Sequence, residues 1–362
     1  SALNILQPDV EPRATESIDQ MLKMIDSLIA KGIAYQGENG DIYYSVRDFE
    51  SYGKLSGKNL DELEAGARVD VESNKRDPLD FVLWKMTKPN EPKWSSPWGE
   101  GRPGWHIECS AMSTHHLGSH FDIHGGGMDL AFPHHENEIA QSEGANDCSF
   151  VNTWMHVGFV NINDEKMSKS LKNFFTIRDV MKQYSGETLR YFLISSHYRS
   201  PLNFSDDNLK SAGSALKRLY TATRDLPTSK VAIDEIAEHS EYEKRFNAAL
   251  DDDFNTPIAL SILFEIAKNI NTERNKNQTK ASALSKLLRK LGSYLGILQH
   301  SAEDYFKQGV SISDSEIEQK INKRNEARAT KDFSISDQIR DELLALDVVL
   351  EDNENGTIWR RK

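Results

Sequence analysis

Apolar side chains at helical spacing mark the first element of the chain. Six of them fall on one helix face: Ile18, Met21, Leu22, Ile25, Leu28 and Ile29. This pattern predicts an amphipathic helix over residues 15–31, which Gly32 ends. Residues 34–35 and 42–44 flank a polar turn and predict two short strands. Residues 51–103 show little periodicity and are rich in glycine, proline, tryptophan and charge, so we expect an irregular insertion there.

Strand and helix patterns alternate in the middle of the chain. Residues 120–124 predict a strand that the glycine triplet at 125–127 breaks. Pro133 suits the first turn of a helix that we expect to run to about residue 142. Residues 151–162 again predict a strand. We therefore expect an α/β part in this region.

The remainder of the chain is mostly helical in pattern. Helices are predicted over residues 177–184, 187–195, 205–224, 242–250, 257–271 and 280–298. The polar stretch 301–315 is predicted to be a linker. The tail then predicts two helices, at residues 314–331 and 335–346, and a hairpin that pairs residues 348–350 with residues 357–359.

Composition narrows the class of protein. Hydrophobic residues make up 38% and charged residues 28% of the 362 residues, and the net charge is -12. No apolar run reaches the roughly 18 residues of a membrane helix, and the first residues lack the pattern of a signal peptide. Two cysteines in a chain of this length argue against a disulfide framework and for a reducing compartment, so we expect a cytoplasmic location.

Histidine is unevenly distributed, and it suggests a metal site. Eight of the 11 histidines fall between His106 and His156. The same window holds Cys109 and Glu138, and His134 lies four residues before Glu138, so that both share one helix face. A thiolate, an imidazole and a carboxylate are accepted zinc ligands, and three protein ligands leave an open position. A buried structural cysteine beside a solvated helix face is the alternative.

Two further segments have residues suited to binding a nucleotide. The triplet at 125–127 precedes Asp129, and a glycine turn lets the backbone approach a nucleotide while a carboxylate accepts ribose hydroxyls. A plain tight turn is the alternative. Residues 166–170 read Lys-Met-Ser-Lys-Ser, in which Lys166 and Lys169 can contact an anion beside hydroxyl groups and backbone amides.

The order of these motifs resembles the cysteinyl-tRNA synthetases, which are class I aminoacyl-tRNA synthetases. The resemblance rests on residues 81–86, 104–112 (GWHIECSAM), 122–130, 132–138 (FPHHENE), 166–170 (KMSKS), 251–257 and 356–362. It implies a Rossmann-like nucleotide-binding catalytic domain, here only partly present, then a helical bundle and a small C-terminal α+β module.

The resemblance also implies partners and residue roles. Zinc would be held by Cys109, His134 and Glu138 and would bind the thiolate of substrate L-cysteine, which selects cysteine over serine. Trp105 would lie beside that substrate. The partners would be ATP with Mg²⁺, which is a substrate, and tRNA(Cys), and we expect a monomer.

The same resemblance assigns the nucleotide and tRNA contacts. Gly127 and Asp129 would bind the ATP ribose, and Lys169, with Lys166, would neutralise phosphate charge. Anticodon contacts would come from Arg328, Phe333, Asp337 and Asp352, on a tail whose basic and aromatic residues suit phosphates and unpaired bases.

The sequence departs from the family pattern at its start. No His-x-Gly-His motif occurs, since residues 116–120 have a different spacing, and the family's early cysteine ligand is also absent. We therefore expect a chain that lacks its first catalytic segment and is catalytically incomplete. The predicted parts are a catalytic remnant (1–17), a connective insertion (18–98), the second catalytic half with zinc (99–160), the signature-loop and stem-contact region (161–205), the bundle (206–300) and the linker with anticodon module (301–362).

Three other functions remain as alternatives. A related cysteine:amino-sugar ligase would resemble the catalytic half but lack the anticodon module. A tRNA-binding fragment would bind without catalysis. A zinc hydrolase would have no need of the loop at residues 166–170.

Overall fold

The computed structural model describes residues 2–60, 74–162, 165–166, 176–226, 237–307, 312–353 and 356–361. The chain divides into two compact units. We call residues 7–160 with 198–201 the histidine-rich unit, and residues 1–6, 161–197 and 202–362 the helical unit. The six-part division predicted above stays a prediction. Among the described residues, no helix is both long and apolar enough to cross a membrane.

The first part of the histidine-rich unit is an antiparallel sheet covered by helices. After helix α1 (Ile18–Ala30), strands β1 (Ala34–Gln36), β2 (Ile42–Tyr44), β3 (Phe81–Met86) and β4 (Gly101–Pro103) pair in chain order. Helix α2 (Trp105–Leu117) follows. The predicted helix and strand pair near the start are confirmed. Apolar side chains of α1, the sheet and α2 form one core, which includes Met21, Ile25, Leu28, Ile42, Leu83, Trp84 and Ile107.

The prediction of an irregular insertion over residues 51–103 is wrong for β3 and β4. Leu83 and Trp84 are adjacent in β3 and both are fully buried. Because β3 pairs with β2 on one edge and β4 on the other, it is a central strand, and its burial does not alternate. The alternating pattern by which a strand is usually recognised is therefore missing.

The second part of the histidine-rich unit is a parallel strand pair joined through a helix. Strand β5 (Phe121–Gly127) leads to helix α3 (Glu136–Asn146), and strand β6 (Val151–Val157) returns beside β5. The glycine triplet was predicted to break the strand, but β5 continues through it, with Gly127 opposite Val157. The carboxyl ends of β5 and β6 therefore lie side by side.

An irregular helical turn over Ala131–His135 leads directly into α3, so Pro133 lies in the first turn, as predicted. Phe132 has extended backbone (φ −139°, ψ 134°), and the regular helix begins only at Glu136. A residue before proline is disfavoured in helical conformation, which accounts for the extended Phe132 before Pro133. His134 thus lies in the turn before α3, and Glu138 lies in its first turn.

The helical unit begins with short elements and continues as a helical bundle. A three-stranded sheet contains β7 (Val160–Ile162), β8 (Glu165–Lys166) and β9 (Leu202–Phe204). The helices are α4 (Ile177–Val180), α5 (Gly186–Ile194), α6 (Asp206–Thr223), α7 (Ala237–Asp251), α8 (Thr256–Glu273) and α9 (Gln278–Tyr294). These confirm the predicted helices, with different ends. A large apolar core lies within the bundle.

The predicted linker at residues 301–315 contains a helix, which corrects that prediction. Helix α10 (Ala302–Lys307) buries the Phe306 ring in the bundle core. Removing an apolar ring from water is favourable even where the surrounding sequence is polar. The predicted tail is confirmed: helices α11 (Asp314–Ala329) and α12 (Phe333–Ala345) precede the hairpin β10 (Val348–Asn353) and β11 (Gly356–Arg361). The tail has its own small apolar core, which includes Trp359.

Candidate metal centre and nucleotide turn

Three predicted metal ligands converge within the histidine-rich unit. Cys109 comes from the second turn of α2, His134 from the turn before α3, and Glu138 from the first turn of α3. Their sulfur, nitrogen and oxygen donor atoms lie within 4.8 Å of one another. Bonds to zinc are about 2.0–2.3 Å long, so one ion bridges donors at nearly this spacing. Whether they bind zinc stays a prediction.

The Glu138 carboxylate is the strongest sign of a cation. It is fully buried, and among the residues that the structure describes, neither of its oxygens accepts a hydrogen bond. His134 Nε2 nevertheless lies 2.8 Å from Oε1, and His124 Nε2 lies 3.3 Å from Oε2. These nitrogens lie close to the carboxylate without the geometry of a hydrogen bond, as expected where a cation lies between a nitrogen and an oxygen ligand. A buried carboxylate without compensation is costly, and a bound cation removes that cost.

The environment of Cys109 fits the same conclusion. Burial raises the pKa of the Cys109 thiol to about 12, and the nearby Glu138 and Glu108 carboxylates raise it further. A thiol in such surroundings keeps its proton unless a cation stabilises the thiolate. The donor set of sulfur, imidazole nitrogen and carboxylate oxygen is one that zinc accepts. These residues therefore fit a zinc ion. The other cysteine, Cys148, is exposed and belongs to neither group of donor atoms found among the described residues.

Further histidines surround the site, and the sequence pattern predicts no role for them. His106 Nδ1 lies 2.7 Å from His134 Nδ1, and His135 Nδ1 lies 2.9 Å from His156 Nε2. Burial lowers the pKa of His106 to about 4 and that of His135 to about 3, with neighbouring imidazoles contributing, so both are neutral at pH 7. The crowding of histidines between residues 106 and 156 was the only sequence signal for this network.

A second group of donors shares Glu138 with the first. His124, His135 and Glu138 also have donor atoms within 4.8 Å of one another. This group contains no thiolate, which is the ligand that favours zinc over harder cations. The two groups use different oxygens of the Glu138 carboxylate, since His134 approaches Oε1 and His124 approaches Oε2.

Trp105 lies beside the predicted metal ligand His134. It is the first residue of α2, its side chain is 60% exposed, and its ring centroid is 4.3 Å from that of His134. A large exposed ring here offers an apolar wall to a small ligand that enters from solvent. This position is compatible with its predicted place beside the substrate.

The predicted ribose turn lies at the carboxyl end of β5. Gly127 is the last residue of that strand, and Asp129 is in the short turn that follows. An ideal Cβ at Gly127 would come within 2.6 Å of Asp129 Oδ1, so the carboxylate folds back closely over the glycine. Ligands of parallel α/β sheets bind outside the carboxyl ends of the strands, and this is where the pair lies.

The two lysines of the predicted phosphate loop are only partly covered by the structure. Lys166 is the last residue of β8, and its side chain lies outside the described residues. Lys169 lies outside them altogether. Their roles stay predictions.

The predicted anticodon residues lie in the tail of the helical unit. Arg328 Nη1 donates to Asp352 Oδ2 at 2.8 Å, Phe333 at the start of α12 is 61% exposed, and Asp337 acts electrostatically on Arg324. Buried Arg324, which sequence reasoning did not single out for this contact, forms a two-bond pair with Asp352 at 2.9 and 2.8 Å. Arg324 holds the pKa of Asp352 well below its usual range.

Comparison with known proteins assigns the whole chain to the family that its sequence motifs resemble. The family described as the class I (C) tRNA synthetase catalytic domain matches residues 1–214, and the DALR domain matches residues 245–299. A protein named cysteine–tRNA ligase from Methylococcus capsulatus is 58% identical over 365 residues, covering 100% of this chain and 78% of that protein. One of the same name from Vibrio cholerae is 56% identical, with 100% and 78% covered.

Solved structures show the same fold at low sequence identity. A putative arginyl-tRNA synthetase from Campylobacter jejuni aligns with a TM-score of 0.54 and 15% identity, covering 82% of this chain and 64% of that one. Methionyl-tRNA synthetase of Mycobacterium tuberculosis, in complex with methionyl-adenylate, aligns with a TM-score of 0.54 and 13% identity, covering 84% and 77%. The class I synthetase fold expected from sequence is confirmed.

Proposed function

Because the chain belongs to the cysteine–tRNA ligase family of class I synthetases, we propose that Cys109, His134 and Glu138 hold a zinc ion that selects L-cysteine. The family activity joins cysteine to its tRNA at the expense of ATP. The observation that carries the zinc proposal is the fully buried Glu138 carboxylate, which lies between a thiol and an imidazole without a hydrogen bond from the described residues.

The proposed site distinguishes cysteine from serine by ligand chemistry. When bound, zinc would supply a position that favours a thiolate and disfavours a hydroxyl. The protein's part is to hold Cys109 on α2, His134 in the turn before α3 and Glu138 in the first turn of α3, with the exposed Trp105 ring beside His134. A polar or ligand contact that only one substrate can make gives far larger discrimination than a difference of one atom in size.

The activation step is proposed to occur at the carboxyl end of β5. Gly127 and Asp129 would bind the ATP ribose, and the cysteine carboxylate would attack the α-phosphorus, so that a new P–O bond forms and pyrophosphate leaves. Lys169, with Lys166, would neutralise the negative charge that develops on the phosphates, and ATP would enter with Mg²⁺. Correct placement of the two reactants supplies much of the remaining acceleration.

The tail is proposed to contact tRNA through an exposed ring and a fixed set of charges. Phe333 offers a ring to an unpaired base, and Arg328, Asp337 and Asp352 lie in the same small module. Part of the basic surface is neutralised internally, since Lys320 pairs with Glu342 at 2.6 Å. This favours a few directed contacts over a broad positive surface.

The other functions considered from sequence are not favoured. A cysteine:amino-sugar ligase and a zinc hydrolase would not explain 58% identity with a cysteine–tRNA ligase over all of this chain. The chain spans 78% of that relative's length. Catalytic incompleteness, a monomeric state and a cytoplasmic location stay predictions.

Calorimetric titration of the zinc-loaded chain tests the proposal without requiring turnover. We expect L-cysteine to bind, serine and S-methylcysteine to give no detectable binding, and chelator treatment to abolish the cysteine signal until zinc is restored. A Cys109→Ala variant should behave like the chelated protein, and a Cys148→Ala variant like the parent. Equal binding of serine and cysteine, or cysteine binding that survives zinc removal, would overturn the proposal.

A further inference from the structure

His134 has close polar neighbours at both of its ring nitrogens. Its Nε2 lies 2.8 Å from Glu138 Oε1, on the side where the ligands converge. Its Nδ1 lies 2.7 Å from His106 Nδ1, on the opposite side of the ring. His134 is buried, so both ring nitrogens face protein groups. Which nitrogen carries the proton therefore decides whether the ring can be a metal ligand.

The contact between two imidazoles allows only two arrangements with neutral rings. Two nitrogens at 2.7 Å share one proton, because one must donate and the other accept. If His134 donates, its Nε2 has a free lone pair that faces Glu138 and Cys109. If His106 donates, His134 carries its proton on Nε2, which then points at the ligands and blocks the metal position.

The surroundings of Glu138 favour the first arrangement. His134 Nε2 lies 2.8 Å from Glu138 Oε1 without the geometry of a hydrogen bond, so an N–H on this nitrogen would be a buried donor with no well-aligned acceptor. Among the described residues, no group donates such a bond to either oxygen of Glu138. A lone pair on Nε2 explains the closeness without the bond, provided that a cation lies between the two atoms.

His106 is well placed to impose this arrangement. It lies three residues before Cys109 on α2, so the same rigid helix carries both the thiol ligand and the partner of the imidazole ligand. Its ring packs edge-on against Phe81 at 5.6 Å and beside Trp105 at 5.5 Å between centroids. These contacts restrict its rotation.

We propose that His106 is a positioning residue: it accepts a hydrogen bond from His134 Nδ1, fixes the His134 tautomer and so directs the Nε2 lone pair at the zinc position. The inference rests on the zinc site of the proposed function. Partners of metal-bound histidines orient the ring and raise its basicity, and their loss weakens metal binding about 10- to 100-fold. No step of the reaction is assigned to His106 itself.

Zinc affinity of two His106 variants tests the proposal by competition with a chromophoric chelator. His106→Leu removes the acceptor, and we expect zinc binding to weaken about 10- to 100-fold. His106→Asn places an amide oxygen where Nδ1 was and should restore most of the affinity. His116→Gln, an exposed change on the same helix, should match the parent. A His106→Leu variant that binds zinc like the parent, or no rescue by His106→Asn, would contradict the proposal.

The tautomer of His134 in the unmodified chain is a second readout, and it does not depend on whether a variant folds. In the zinc-loaded protein with ¹⁵N-labelled histidine, we expect His134 to be protonated at Nδ1 and metal-bound at Nε2. The reverse tautomer would overturn the role of His106 while leaving the zinc site standing. A chain that takes up no zinc would overturn the proposed metal site and this inference together.

Discussion

The imidazole of His135 lies directly against the backbone of Gly126, so that an ideal Cβ on Gly126 would come within 2.6 Å of His135 Cε1. The ring cannot easily withdraw, because His135 is buried and its Nδ1 contacts His156 Nε2 at 2.9 Å. The glycine is needed for close packing between β5 and the turn before α3. The φ angle of Gly126 is not positive, so its backbone conformation is one that other residues also adopt.

We expect Gly126→Ala to lower the free energy of unfolding by about 1–3 kcal/mol, as overpacked substitutions usually do. Gly125→Ala is the matched control on the same strand. Its Cβ would meet only Met155 O at 3.7 Å, which is an ordinary contact, so its stability should stay within about 1 kcal/mol of the parent. Denaturant unfolding measures both. Equal effects of the two substitutions would show that the His135 contact is not responsible.

Loss of one of the two cysteines should affect zinc selectively. We expect Cys109→Ala to weaken zinc binding by more than the roughly 100-fold seen when groups outside the ligand set are changed. Cys148→Ala should leave it unchanged, because Cys148 is exposed and lies outside the ligand group. Metal analysis after dialysis against a weak chelator checks both. Zinc retained by the Cys109 variant would assign the ion to another site.

Lys169→Ala in the active enzyme should lower cysteine-dependent ATP–pyrophosphate exchange while cysteine binding changes little. Removal of a contact made mainly in the transition state costs about 3 kcal/mol, or on the order of 100-fold. The control is Lys182→Ala, at an exposed lysine that pairs with Asp179. An exchange rate equal to that of the parent would remove Lys169 from the mechanism.

The tail should act on tRNA and not on cysteine activation. We expect Phe333→Ala to raise the KM for tRNA about 5- to 150-fold, since stacking of a base on an aromatic ring contributes about 1–3 kcal/mol. Ile335→Ala, at another exposed apolar residue of α12, should have little effect. Aminoacylation and pyrophosphate exchange are measured in parallel. A comparable loss in both reactions would indicate a folding role for Phe333.

Local pattern was enough to predict much of this fold. The amphipathic helix α1 and the hairpin of β10 and β11 follow from periodicity and turn residues that act over short distances. Strand β3 was missed because its burial depends on strands at both edges, one of them joined through a long segment. Helix α10 was missed because it is short and only its packing against the bundle makes it stable.

The three metal ligands could be predicted from the sequence, whereas the contacts of the histidines around them could not. Cys109, His134 and Glu138 came from residue types, a four-residue spacing and family resemblance, and the structure brings their donor atoms together. The roles of His106 and His124 depend on how α2, β5 and α3 pack, which no local pattern encodes. The sequence shows that both histidines lie in a histidine-rich segment, but it does not show which residues they contact.

Zinc K-edge X-ray absorption of the zinc-loaded chain, with and without L-cysteine, tests the central claim most directly. Cys109 is the one thiol in the predicted ligand group, so we expect one sulfur at about 2.3 Å from zinc in the free protein. Addition of L-cysteine should raise the count to two, and addition of serine should leave it at one. A sulfur count that does not change with cysteine, or that is zero before it is added, would contradict selection of the substrate through its thiolate.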